Sequence, residues 1–434
     1  MPPRRIVIAA AGSLGDLHPF IALGQALQAR GFQAEIASSS EYRARIEAAG
    51  LAFHAVGPSI ARMEADLGMT VAQITEAIIK SDVFLFQQIL LPYLETGVRQ
   101  MIAVSEGASA IVGATLTIGA GVTAERLGLP FVSVLLQPAL AFSAYDPPYL
   151  PKAPWLAPAV GGFGLWRNRT TIDLARLIAA GMTRPLNRVR ARLGLAPTKA
   201  NIVFDASAGA DLALGLYSPL LGTVQPDSPP GFAVTGYAPY DSETGGPAVM
   251  PPELEAFLAA GPAPIVFTLG SAAVNIPGGF YVESLKAARR LGRRAVLLVG
   301  PEGDLSVADG PDAIAVPYAP FSLLFPCAAA VVHQGGVGTT QQALRSGRPQ
   351  LVVPHLGDQF DNAARVVRLG CGATLSRRAY RADRVATVLD RLLSDPAVVE
   401  TAARLGVVAS QEDGAAVAAE RIIEMLSLSQ RERA

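Results

Sequence analysis

Apolar residues in this chain fall into short unbroken runs that alternate with segments of helical period, and the pattern starts twice. Arg5–Ala11 is an apolar run ending at Gly12, which predicts a buried strand. Pro19 opens FIALGQALQAR, where Phe20, Leu23 and Leu27 recur at helical spacing. Pro19 suits a first helical turn and Gly31 a helix end. Gln33–Ala37 is the next strand, so the segment reads as a βαβ unit with a right-handed connection. Ala110–Val112 and Pro130–Leu136 extend the same sheet.

The second start is Ile265–Leu269, a strand closed by Gly270-Ser271. A helix over Tyr281–Leu291 follows, then strands at Ala295–Val299, Ala313–Val316 and Ala330–His333. The last leads into a glycine turn and a helix near Thr340–Arg345; Gln350–Pro354 and a helix over Gln359–Leu369 come next. Between the halves, Ser218–Pro264 is rich in Pro and Gly, as a linker is. The expected organisation is an N-terminal domain over 1–238, a linker over 239–262 and a second domain over 263–410. A final helix over 411–434 packs back on the first domain. The fold class is α/β, two doubly wound parallel sheets facing a cleft.

Composition narrows the partners. Lys+Arg and Asp+Glu both number 36 in 434 residues, which offers no whole-chain charge for nucleic acid or an anionic membrane. Half the residues are apolar and mean hydropathy is +0.34. No apolar run is long enough to span a bilayer, so the excess fits strands buried on both faces. MPPRRIVIAAAGSLGD reads as a first strand rather than a signal peptide. Cys327 and Cys371 make no disulfide framework, and Cys327 reads as a small core residue. A cytoplasmic protein, monomer or homodimer, is expected, with contact to a membrane surface left open. His18, His54, His333 and His355 have no metal-ligand spacing, so no metal is expected.

Three short segments carry candidate chemistry. His333-Gln334-Gly335-Gly336-Val337-Gly338-Thr339 joins a strand to a helix. Its glycines admit close backbone approach, and a helix N-terminus favours a phosphate. A tight turn without a ligand is the plainer alternative. Asp358 and Gln359 offer a carboxylate and an amide to sugar hydroxyls, although Asp358 also suits a helix cap. Asp358 comes 19 residues after Thr339, about one helix plus one strand, so both loops fall at the carboxyl edge of one sheet. Phosphate turn and polar loop together read as a nucleotide-sugar site. The third segment, Gly12-Ser13-Leu14-Gly15-Asp16, also follows a strand; Asp16 is placed to act as a general base, or else to cap the Pro19 helix beside His18. Tyr318 and Phe321 offer rings to a nucleobase, or to the core. Phe84 within Val83–Leu91, with Tyr145, Tyr149, Trp155 and Trp166, offers an apolar acceptor surface, or an irregular packed loop.

These segments resemble the family 1 nucleotide-sugar-dependent glycosyltransferases of the two-domain GT-B fold, and the resemblance covers nearly the whole chain. GSLGDLHPFIALGQALQARG is similar to the family's N-terminal motif and Thr268–Ser271 to its phosphate-side loop. The stretch from Val316 to Ala363 is similar to its donor signature. Bacterial enzymes acting on lipids, sterols and polyketides look nearest, rhamnolipid-forming ones especially around GDQFDNAARVVRLGCG. The resemblance implies an inverting hexosyltransferase that uses a UDP- or dTDP-sugar as co-substrate and needs no cofactor. The acceptor would be a lipophilic hydroxyl compound. The Gly335–Thr339 turn, with Ser271, would hold the diphosphate, with His333 and Gln334 also on the donor side and Gly12 and Ser13 near the diphosphate; Tyr318 and Phe321 would flank the base, and Asp358 and Gln359 would hold the sugar. Asp16 would be the base. The chain departs from the pattern at Gln334, where a second histidine is common, and at Gln342, where plant members use a glutamate on the ribose. A nucleotide-sugar epimerase and a non-enzymatic sugar-nucleotide binder remain alternatives. A dehydrogenase fits poorly, because Gly12-Ser13-Leu14-Gly15 lacks the G-x-G-x-x-G spacing.

Overall fold

The computed structural model describes residues 4–242 and 244–431. The chain divides into two compact units, one of residues 1–71, 81–240 and 413–434, the other of residues 72–80 and 241–412.

The first unit is built on a seven-stranded sheet of β1 (Arg5–Ala9), β2 (Gln33–Ser38), β3 (Ala52–Ala55), β4 (Ala110–Ala114), β5 (Phe131–Leu135), β6 (Leu212–Gly215) and β7 (Ala233–Val234). Their order is β3-β2-β1-β4-β5-β6-β7 and every pairing is parallel. Ile6, Val7 and Ile8 of β1 are fully buried, as strands covered on both faces require. Helix α1 (Leu14–Gln28) follows β1, and helix α2 (Gly162–Ala179) lies in the long connection from β5 to β6.

The second unit holds a six-stranded sheet of β8 (Ile265–Thr268), β9 (Ala295–Leu298), β10 (Ala313–Val316), β11 (Ala330–His333), β12 (Gln350–Val352) and β13 (Gly372–Thr374). The order is β10-β9-β8-β11-β12-β13, again all parallel. Helices α3 (Val337–Arg345) and α4 (Gln359–Arg368) follow β11 and β12. The last helix, α5 (Gly414–Arg431), returns to the first unit. Ala418, Ala419 and Ile422 join the core that Leu23 and Leu27 of α1 share, and Arg30 pairs with Glu420 at 2.8 Å.

Three expectations change. Helix α1 begins at Leu14 rather than Pro19, because Ser13 and Asp16 close its first turn and Pro19 is held inside it. The Pro- and Gly-rich stretch is no simple linker: residues 218–240 belong to the first unit and include β7, too short to show a period. Cys327 is exposed at the end of a short 3-10 turn, while Cys371 is buried.

Candidate active site

In both units the strand order reverses beside the first strand, between β1 and β4 and between β8 and β11. Such switch points open a crevice at the carboxyl edge of the sheet. The loops after β8, β11 and β12 are neighbours there, and they carry Gly270-Ser271, the glycine turn and Asp358-Gln359.

The glycine turn is fixed by hydrogen bonds its sequence does not announce. Gly335 has φ of +90°, and a side-chain carbon there would lie 2.7 Å from Val352 Cγ1 and 3.0 Å from the Gln359 carbonyl. His333 is fully buried. Its Nδ1 accepts from Gly335 N–H at 3.1 Å, and its Nε2 faces Gln350 Oε1 at 2.9 Å. These partners require the proton on Nε2, and burial lowers the pKa to about 4. His333 is therefore a neutral brace of the turn, with both nitrogens engaged. Thr340 N–H is the first to bond back into α3, to Gly336 O at 2.9 Å, so the N–H groups of Val337, Gly338 and Thr339 precede the helical ladder.

Asn362, which sequence reading left without a role, joins the turn to the polar loop. Its Nδ2 donates to Gly335 O at 2.9 Å and to Asp358 Oδ2 at 2.8 Å. Asp358 occupies the N-cap position of α4, yet its side chain makes no capping bond. Gln359 is buried, and its Oε1 accepts from the N–H groups of His355 at 2.8 Å and Leu356 at 3.2 Å. Its Nε2 makes no hydrogen bond among the described residues. Gln334 Oε1, Thr340 Oγ1 and Asn362 Oδ1 are buried with no hydrogen-bond partner among the described residues. The Gln334 amide packs against Gly270 and Gly336. Gln342 is buried within α3, whereas Ser271 is exposed.

The aromatic pair separates. Tyr318 donates its hydroxyl to Asp241 O and lines a hollow of about 320 Å³ with Asp241, Thr244, Val249, Pro317 and Pro320. Phe321 instead stacks on Phe325, centroids 4.4 Å apart, so one face of its ring belongs to the core.

In the first unit, Asp16 Oδ2 accepts from Ser13 N–H at 2.8 Å and Ser13 Oγ at 3.1 Å, leaving Oδ1 without a partner among the described residues. Desolvation raises the Asp16 pKa, opposed by the smaller effect of the Ser13 bonds. Gly12 has φ of +122°, and a side-chain carbon there would lie 2.4 Å from Asp16 Oδ2. Tyr42 donates to Gly12 O at 2.8 Å. His18 is held neutral: desolvation, then the Arg45 charge, lowers its pKa to about 3, and Arg45 Nη1 lies 3.3 Å from its Nε2. Across the switch point, Thr115 Oγ1 after β4 is buried without a hydrogen-bond partner among the described residues. Nothing in a lone threonine marks it in the sequence.

Of the acceptor candidates, Trp155 and Tyr145 both meet α2. Trp155 Nε1 donates to Thr171 Oγ1 at 3.4 Å, and the Arg169 guanidinium lies 5.6 Å from the Tyr145 ring centre. Phe84 ends a separate helical turn that runs into a π-helix over Leu85–Leu90.

Two family models match the chain. A glycosyltransferase family 28 N-terminal domain covers residues 6–145, and an erythromycin biosynthesis protein CIII-like C-terminal domain covers residues 285–425. Over 435 residues the chain is 32% identical to the O-mycaminosyltylonolide 6-deoxyallosyltransferase of Streptomyces fradiae, covering 97% of this chain and 95% of that protein. It is 28% identical to the vancomycin aglycone glucosyltransferase of Amycolatopsis orientalis, with 98% of each chain covered. The crystal structure of the kitacinnamycin glycotransferase superposes with a TM-score of 0.71 at 22% identity, covering 98% of this chain and all (100%) of that one.

Proposed function

The chain belongs to the family 1 glycosyltransferases of the GT-B fold, and on that premise we propose that it transfers a hexose, with inversion, from a UDP- or dTDP-sugar to a hydroxyl of a lipophilic acceptor. The observation that carries the reading is the set of unpartnered polar atoms around the glycine turn, Gln334 Oε1, Thr340 Oγ1 and Asn362 Oδ1. Each costs about 1–3 kcal/mol when buried alone, a cost that a polar ligand in the turn relieves. The two named relatives act on O-mycaminosyltylonolide and on the vancomycin aglycone, which supports a large natural-product acceptor.

In this reading Asp16 Oδ1 takes the proton of the acceptor hydroxyl as its oxygen attacks the anomeric carbon. The bond from that carbon to the diphosphate oxygen breaks on the opposite side. Charge then grows on the diphosphate, where the N–H groups of Val337, Gly338 and Thr339 and the hydroxyls of Thr339 and Ser271 stabilise it. A raised pKa makes Asp16 a stronger base than an ordinary carboxylate. Asp358 and the Gln359 amino group hold the sugar hydroxyls. Gln342 faces the ribose, and Tyr318 flanks the base.

The test is a panel of UDP- and dTDP-sugars offered with sterol, hydroxy-fatty-acid, macrolide and phenolic acceptors, reading nucleoside diphosphate release. Release should need both substrates. Asp16→Asn should keep the thermal shift caused by donor and lose turnover. Conversion of donor to an epimer without acceptor, or undiminished turnover in Asp16→Asn, would overturn the reading.

A further inference from the structure

Helix α2 is packed with the opposite polarity to an ordinary surface helix. Its inward side is held by Asn168, fully buried, whose Nδ2 donates to Ala144 O at 2.9 Å and Ala157 O at 2.8 Å, and by Ile172. At 3.6 residues per turn, Phe163, Trp166, Thr170, Leu174, Leu177 and Ile178 share an arc of about 120°. That arc faces outward: Phe163 is 73% exposed, Trp166 60%, Leu177 72% and Ile178 77%. Val160, just before the helix, is 98% exposed. A helix normally buries its apolar stripe and exposes its polar one, so this stripe has no partner among the described residues.

The same segment breaks the charge balance. Between Tyr149 and Ala200 nine residues are Lys or Arg and only Asp173 is acidic, a net +8; since the chain carries 36 of each sign, the remainder carries −8. Some of these cations are paired, Arg190 with Glu125 and Arg192 with Glu95. Lys152, Arg184, Arg188 and Lys199 are exposed with no ion pair among the described residues.

We propose that α2 and its flanks dock the protein on an anionic lipid surface, with Phe163, Trp166, Leu174, Leu177 and Ile178 entering the interface and the surrounding Lys and Arg meeting lipid phosphates. A second copy fits worse, because the exposed, unpaired Lys152, Arg184, Arg188 and Lys199 of two such faces would repel each other. No described helix is long and apolar enough to cross a membrane, so the attachment lies along the surface. The neutral sum of the whole chain hides this segment, which is why composition gave no sign of it. The inference stands apart from the transfer reaction, and its test needs no substrate.

The chain's two tryptophans, Trp155 and Trp166, both lie on this segment, so intrinsic fluorescence reports on it without a label. The full chain is mixed with vesicles of phosphatidylcholine alone and of phosphatidylcholine with phosphatidylglycerol, and read by tryptophan emission and co-sedimentation. Anionic vesicles should shift the emission to the blue and sediment the protein, an effect that weakens as salt rises. Arg184→Gln and Arg188→Gln should each reduce partitioning about fivefold at low salt. Phe163→Ser with Trp166→Ser, at exposed positions, should abolish sedimentation while donor-induced thermal shift is kept. Absence of binding to anionic vesicles at low salt would overturn the proposal, as would binding indifferent to these substitutions. A dimer that the Phe163→Ser/Trp166→Ser pair dissolves would assign the face to a second copy, and capture only by an acidic protein would assign it to that partner.

Discussion

Asn362 Nδ2 stands 2.8 Å from Asp358 Oδ2, and its other N–H reaches Gly335 O at 2.9 Å. One side-chain amide thus fixes the spacing of the glycine turn after β11 and the Asp358 loop after β12. Asn362→Ala should lower stability by about 1–3 kcal/mol, because the Gly335 carbonyl loses a buried donor. It should raise the donor KM and leave the acceptor KM unchanged. Asn362→Asp should be worse, with a second carboxylate against Asp358. Steady-state kinetics with each substrate varied, and denaturant melts, check both.

Acid should unfold the protein through its buried histidines. His333 falls from 6.5 to about 4 on folding, and His18 to about 3. The folded state therefore binds fewer protons, so the stabilising contribution is complete above pH 6.5 and is lost as pH falls towards 4. For His333 the loss is on the order of 3 kcal/mol. Unfolding free energies at a series of pH values should show the slope. His333→Gln should flatten part of it at some cost in stability at pH 7, and an unchanged slope would remove His333 from the account.

Asp16 behaves in the opposite sense. Its folded pKa is raised above 3.8, so the favourable contribution is present below that value and is lost as pH rises through the folded pKa. Asp16→Asn should therefore be at least as stable as the parent at pH 7, an advantage that disappears in acid. In the parent, kcat/KM should fall on an acid limb whose midpoint lies above 3.8. Thermal melts of the variant and a pH–rate profile of the parent measure the two halves.

Gly12→Ala should reduce kcat without removing donor-induced thermal shift. The new methyl carbon would sit 2.4 Å from Asp16 Oδ2, and φ of +122° is strained for alanine. The carboxylate must rotate away from the Ser13 N–H, so both the cap and the proposed base are displaced. A loss of kcat of at least about tenfold is expected, equal to about 1.4 kcal/mol in the barrier.

The plan of the chain was legible because it is local. Arg5–Ala9 and Ile265–Thr268 are strands for reasons contained in their own residues, and the glycine turn declares itself between a strand and a helix. Boundaries were less legible where a side chain decides them: Ser13 and Asp16 start α1 five residues before Pro19. β7, two residues long, has no period to read. Cys327 changed its reading for a related reason, since a thiol's exposure depends on what the next turn packs against.

The sequence by itself determined two parallel α/β units, the helix start that can face a phosphate and the carboxylates available near it, because backbone period and glycine placement act over a few residues. Tertiary structure alone decided that His333 is neutral, that Asn362 ties turn to loop, that Asp16 keeps one oxygen clear and that α2 turns its apolar stripe outward. Each depends on partners in other elements, such as Gln350 on β12 or Ala144 and Ala157 against Asn168. Strand order and register bring those partners within hydrogen-bonding distance, and neither is encoded in the local period of the chain.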